Sequence, residues 1–229
     1  MQFDAILHDV LIPNFCSKTN NSFIPSDIKA TSVKVSEIDK ADFARAWNAG
    51  LIKYVGSGKY KAVKGGTEGF FSSGPKSVTP RTFSLSVEPI ITIGVLARLH
   101  FDFEWPAHLI GAQSVDWAFD AITQISDDSR DEYIACEVKK TRREIDSLLK
   151  LMHQYAAIPE LDILTLKDTE KNAYKKVTAL RRRKAPIFWA VGPDRYEMAF
   201  SVEYTGNSAI TFKPMPLKAL SYSAVKFSD

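Results

Sequence analysis

Only two cysteines, Cys16 and Cys136, occur in the 229 residues, and neither lies in a CxxC or Cys/His spacing. A disulfide framework and a tetrahedral zinc site are thereby excluded, and both thiols are expected to be reduced. Long apolar runs are scarce as well: the longest, Ile90 to Leu99, is too short to span a bilayer and contains Arg98, so no membrane association is expected. Met1-Gln2-Phe3-Asp4 lacks the basic start and apolar middle of a secretory leader, which points to a cytoplasmic protein. Glycine and proline, at 11 each, show no period, and there is no internal repeat or low-complexity tract. Strong charge of one sign is missing too, with a net charge of +3. What is present, 45% hydrophobic and 25% charged residues, is the composition of a globular protein of one or two domains.

The small basic excess sits early in the chain: residues 1–78 carry ten Lys and Arg against seven Asp and Glu, and the remainder is balanced. Gly65 to Pro75, rich in glycine and serine, cannot hold a helix and reads as a linker, which places a boundary at 65–82 between domains at 1–78 and 79–229. In the first part, Ser36-Glu37-Ile38-Asp39 is a capping-box pattern opening a helix that ends at Gly50. Two β-prone runs, Leu51 to Val55 and Lys59 to Val63, flank Gly56-Ser57-Gly58 and predict a hairpin. This helix and hairpin, with Lys53, Lys59, Lys61 and Lys64, resemble a winged helix-turn-helix over residues 20–64. In that resemblance the hairpin is the wing, and Lys53, Lys59 and Lys61 touch DNA phosphates.

The second part opens with a buried helix capped at Ser86. Val115 to Ile122 reads as a strand with Asp116, Ala118 and Asp120 on one face. After a turn at Ser126 to Ser129, Tyr133 to Lys139 predicts a second strand, where a period of two puts Glu137 and Lys139 on one face. Ile145, Leu148, Leu149, Met152 and Ala156 then mark an amphipathic helix, and Lys167 to Lys184 a basic one with eight cationic residues against Asp168 and Glu170. Pro186 to Val191 suits a central strand, with an edge hairpin over 195–212 completing a mixed sheet. Trp105, Trp117 and Trp189 are expected in the core, and His153 on the apolar face of its helix.

Asp116, then Glu137-Val138-Lys139 at a strand end, then an amphipathic helix, resembles the PD-(D/E)XK superfamily of restriction-endonuclease-like nucleases over about residues 85–195. Val115 stands where the motif name has proline. The resemblance implies an α/β fold, a mixed sheet flanked by helices with an αβββαβ core. It implies Asp116, Glu137 and the carbonyl of Val138 as ligands of Mg²⁺, with Mn²⁺ as a substitute, and Lys139 as the active-site lysine. Glu88 is the nearest match for a further catalytic glutamate from the first helix, with Glu104 as its competitor. Asp120 shares a face with Asp116 and is an alternative ligand or a partner for Lys139. Lys140, Arg142 and Arg143 follow directly and are placed to touch the scissile strand.

The residue types suit phosphodiester hydrolysis. Paired carboxylates hold a hard cation that activates water and neutralises phosphate charge, and an ammonium positions the water or phosphate. Beside a metal that ammonium is expected to lose its proton more readily. The tripeptide alone says little, since roughly one or two acid-x-Lys matches arise by chance in a chain this long, and Asp27-Ile28-Lys29 is another. Context separates Glu137-Val138-Lys139: apolar strand before, amphipathic helix after. The plainer reading is a strand-end ion pair beside a solvated Asp116. The expected function is a Mg²⁺-dependent DNA endonuclease, with a homodimer as the form that cuts both strands. The alternatives are a non-catalytic nucleic-acid-binding or regulatory protein keeping the nuclease fold, or an enzyme acting on RNA.

Overall fold

A strand covered on both faces reads as an almost unbroken apolar run, and the chain has two, at 132–138 and 187–191. The computed structural model describes residues 1–18, 23–114, 116–129, 131–158, 160–205 and 209–225. The chain starts with α1 (Phe3–Ala5), a π-helical stretch at Ile6–Leu11 and α2 (Ile12–Lys18), followed by α3 (Glu37–Asn48). Six short strands come next: β1 (Ile52–Gly56), β2 (Lys59–Ala62), β3 (Lys64–Gly65), β4 (Thr67–Gly69), β5 (Phe71–Ser73) and β6 (Phe83–Leu85). Helix α4 (Val87–Phe101) leads to β7 (Ile110–Ala112), β8 (Ala121–Gln124) and β9 (Glu132–Val138). Helices α5 (Arg142–Ala156) and α6 (Asp168–Arg183) precede β10 (Ile187–Val191), β11 (Glu197–Thr205) and β12 (Ala209–Met215).

Seven strands form one mixed sheet in the order β12-β11-β10-β9-β8-β7-β3, with β10 parallel to β9, β3 parallel to β7, and the other pairs antiparallel. Side-chain alternation along β9 and β10 divides the interior. Ile134, Cys136, Val138, Ile187, Trp189 and Val191 join the cluster containing α4 and the N-terminal helices. Ala135, Phe188 and Ala190 join the cluster formed by α5 and α6. The result is a mixed α/β architecture with helices on both sides of the sheet. No helix among the described residues is long and apolar enough to cross a membrane.

Local signals account for most elements. Ser36 caps α3, its Oγ accepting from the Asp39 N–H at 3.1 Å and donating to Asp39 Oδ2 at 2.7 Å. Gly50, with φ of +69°, ends that helix. Thr141 caps α5 in the same way through the Glu144 N–H at 3.2 Å. The amide of Ser86, at the start of α4, donates to the Phe70 carbonyl at 2.8 Å, and its side chain makes no cap bond.

The structure departs from expectation at three places. The stretch 65–82, expected as a linker, carries β4 and β5, and residues on either side of it share a core. Phe3, Phe43 and Tyr60 share one apolar cluster with Ile90, Leu96 and Trp189, and Arg195 ties the distal half to α3 through two bonds to Asp42 at 2.9 and 2.7 Å. The hairpin β1–β2 forms, but β4 pairs with β2 so that it is no free wing. The strand expected from Val115 to Ile122 begins only at Ala121. Before it, Gln113 and Trp117 take positive φ, Phe119 N–H donates to Ser114 Oγ at 2.9 Å, and Ala118 N–H donates to Asp116 Oδ1 at 3.2 Å. Serine and aspartate thus offer the backbone a turn in competition with the ladder. Val115 lies outside the described residues.

Gly65 fixes the first part to the sheet edge. Its φ is +127° and a Cβ there would come 1.7 Å from the Ala112 carbonyl oxygen, so only glycine allows β3 to pair with β7. Gly65→Ala is expected to destabilise the protein by about 3 kcal/mol or more, read as a fall in the urea midpoint.

Candidate active site

Glu137 is the sixth residue of β9, and the alternation that sends Cys136 toward α4 sends its carboxylate toward α6. It is 1% exposed. Each of its oxygens meets an ammonium: Oε1 lies 2.6 Å from Lys139 Nζ, and Oε2 accepts from Lys176 Nζ at 2.5 Å. Lys176 also donates to the Ala118 carbonyl at 2.7 Å and sits over the Phe119 ring. Lys139 Nζ donates to the Val138 carbonyl at 3.0 Å and lies 3.9 Å from Glu88 Oε1.

Asp120, immediately before β8, completes the centre. Its amide donates to the Cys136 carbonyl at 2.9 Å, and its Oδ2 accepts from the Val138 N–H at 2.7 Å. Burial, and then the charge of Glu137, outweigh Lys176, Lys139 and that N–H, and the carboxyl is pushed up to about 8. At Lys139 burial opposes the charge, but Glu137, Asp120 and Glu88 together overcome it and raise the ammonium pKa. These carboxylate neighbours hold the Lys139 ammonium charged.

Two further groups come from the N-terminal part. Glu68 on β4 accepts a hydrogen bond of 2.5 Å from the Tyr60 hydroxyl of β2. Burial raises the Glu68 carboxyl and the charge of Glu88 adds to it; burial, Glu68 and Asp120 raise the Tyr60 phenol. Four carboxylates, Glu68, Glu88, Asp120 and Glu137, therefore interact in one electrostatic cluster with two ammonium groups.

Asp116 is not among them. Its carboxylate is taken by Arg182 and Arg183 of α6, and its Oδ1 also accepts from Ser114 Oγ and the Ala118 N–H. Because the predicted strand is a turn at this point, the acid that lies beside Glu137 is Asp120. Glu104 follows the far end of α4, about 20 Å from Glu88 by helix rise, whereas Glu88 stands in its first turn beside Lys139. Of the three cations after the tripeptide, Arg143 lines a cleft with Glu88 and Lys139. Lys140 is exposed and lies 3.7 Å from Glu144, and Arg142 stacks on Tyr196 beside Asp194. Lys53, Lys59 and Lys61 are exposed on the β1–β2 hairpin.

Three clefts reach the cluster. One of about 360 Å³ is lined by Glu88, Lys139, Arg143 and Asn172. A second, about 390 Å³, holds Glu68, Glu88, Asp120, Gln113 and Trp117. A third, about 620 Å³, shares Trp117 with the second and Asn172 with the first, and carries Lys175, Lys176 and Arg182. Trp117, expected in the core, is 65% exposed.

Among the described residues no three His, Cys, Asp or Glu side chains stand close enough to share an ion. The donors nonetheless fit Mg²⁺ or Mn²⁺ in kind. The Lys139 ammonium occupies a position faced by Glu137 Oε1, the Val138 carbonyl and, farther out, Glu88 Oε1, an all-oxygen set of the sort hard cations take. Glu68 carried no signal in the sequence, since a glycine-rich stretch reads as a connection, and Tyr60 was one residue of an expected hairpin strand. Lys176 did carry one: it falls with Ala173, Val177 and Leu180 on the apolar face of its helix, and a lysine there implies a buried partner.

The elevated Asp120 pKa makes stability depend on pH. Its ordinary value is 3.8 and its folded value about 8, so between these the folded state binds the proton more tightly and stability falls as pH rises. Asp120→Asn keeps an acceptor for the Val138 N–H and removes this term. In EDTA, the variant is expected to melt above wild type at about pH 9, the difference vanishing near about pH 4. Comparison with protein-family models, with curated proteins and with solved structures finds no match in any of the three, so the chemistry of this site rests on its own residues.

Proposed function

We propose that this chain is a metal-dependent nuclease of PD-(D/E)XK type, hydrolysing phosphodiester bonds in DNA as an endonuclease. The observation that supports it above all is the pairing of Asp120 with Glu137 on adjacent strands, next to the Lys139 ammonium and the Val138 carbonyl. In this reading Asp120, Glu137 and the Val138 carbonyl hold Mg²⁺ or Mn²⁺, with Glu88 at their margin. The bound ion would lower the pKa of a water and neutralise charge on the phosphate. Lys139 orients the water or the scissile phosphate, and Lys176 fixes the Glu137 carboxylate. Arg143, Lys175 and Arg182, in the adjoining clefts, oppose the phosphates of the strand. The exposed Lys53, Lys59 and Lys61 extend that contact along the hairpin.

A second reading is favoured by a separate observation: both Glu137 oxygens are already bonded to ammonium groups, which leaves the carboxylate neutralised without any ion. It makes the chain a non-catalytic nucleic-acid-binding or regulatory protein that keeps a nuclease-like fold. Titration calorimetry separates the two, since only a nuclease gives a saturable heat with Mn²⁺ that Asp120→Ala removes. For the nuclease, Mn²⁺-dependent nicking of supercoiled plasmid is expected to fall more than about 100-fold in Asp120→Ala, Glu137→Ala and Lys139→Ala. Asp116→Ala should stay within a few-fold of wild type, with far-UV circular dichroism confirming that all four fold. Full nicking by the first three overturns the assignment.

A further inference from the structure

Trp117 is the feature that hydrolysis by the carboxylate cluster does not itself require. At 65% exposure it contrasts with Trp105 and Trp189, both at 0%. Its φ is +60°, a region that bulky residues rarely occupy. The turn that carries it is braced: the Trp117 N–H donates to the Ser114 carbonyl at 2.9 Å, and Ser114 Oγ accepts from the Phe119 N–H. The six-membered ring rests beside Gly66, where a Cβ would come 3.1 Å from its Cη2. These bonds thus hold a large aromatic surface in water, on a backbone conformation of the kind that clusters at functional sites.

Its position supplies one. Trp117 stands where the cleft of Glu68, Glu88 and Asp120 meets the cleft of Lys175, Lys176 and Arg182. We infer that Trp117 is a stacking platform for an unpaired nucleobase, and that the strand served by the carboxylate site is single-stranded DNA or an unpaired segment of it. The inference rests on the proposed nuclease reading for the purpose of the site, but not for the binding itself. The exposed Lys175, beside Arg182 with its Asp116 partner, suits a phosphate, the ring suits a base, and the backbone between them would pass the carboxylates. Bases within an intact duplex stack on one another and offer no open face to such a ring.

The test measures binding in EDTA, where no cleavage occurs, using fluorescein-labelled oligo(dT) and a hairpin duplex. Wild type is expected to bind oligo(dT) with quenching of tryptophan emission. Trp117→Ala should weaken that binding about tenfold or more and abolish most of the quenching, and Trp117→Phe should restore most of the affinity. Duplex affinity should be the same in all three proteins. Unchanged oligo(dT) affinity in Trp117→Ala overturns the inference, as does an equal loss for oligo(dT) and duplex, which would mark the ring as a wedge or a structural prop. Trp117-dependent oligo(dT) binding by a protein that cleaves nothing with Mn²⁺ supports the stacking site and overturns only the hydrolytic reading. Mn²⁺-dependent cleavage with oligo(dT) binding indifferent to Trp117 does the reverse.

Discussion

A carboxylate removed from water must be matched by positive charge or take up a proton, and Glu137 is matched twice, by Lys139 from its own strand end and by Lys176 from α6. Much else in the centre of the molecule follows from that requirement. Lys176 is itself buried, so α6 must lie with its apolar face against the sheet at one rotation only. Removing one partner of such a pair leaves an uncompensated charge, at a cost of about 3–5 kcal/mol. Asp120, just before the neighbouring strand, is raised first by its burial and then by the charge of Glu137, which the two ammonium groups only partly offset.

The N-terminal part is continuous with the rest of the molecule in both packing and chemistry. Helix α3 packs against α4, and Asp42 holds Arg195 from the distal half. The β3–β7 pairing at Gly65 brings the next strand to the cluster, and with it Glu68 and its partner Tyr60. A chain whose first 78 residues were an independent binding module would gain nothing from burying Glu68 beside Glu88. The β1–β2 hairpin and the strands of the carboxylate site therefore pack into one apolar cluster.

The loop between β7 and β8 concentrates local backbone strain. Two non-glycine residues with positive φ, Gln113 and Trp117, flank Ser114 and Asp116, whose side chains hold the turn. Asp116 closes the turn and pairs with two arginines of α6, leaving Asp120 immediately before the strand begins at Ala121. Loops set on a rigid sheet are where such conformations are tolerated and used.

Short-range patterns in the sequence were enough for the cap of α3, the hairpin at Gly56 to Gly58, the apolar run that becomes β9, and the placement of Glu137 and Lys139 on one face. Each depends on neighbours a few residues apart, through periodicity or a side chain bonding its own backbone. The same patterns misled at Asp116, because alternation of polar and apolar residues there competes with serine and aspartate turns, and only the surrounding packing decides between them. Glu68, Tyr60 and the ring of Trp117 acquire their meaning from segments that meet across the fold. Which acid stands beside Glu137, and what covers it, was decided by tertiary structure alone, since burial and charge balance are set by groups far apart in the chain.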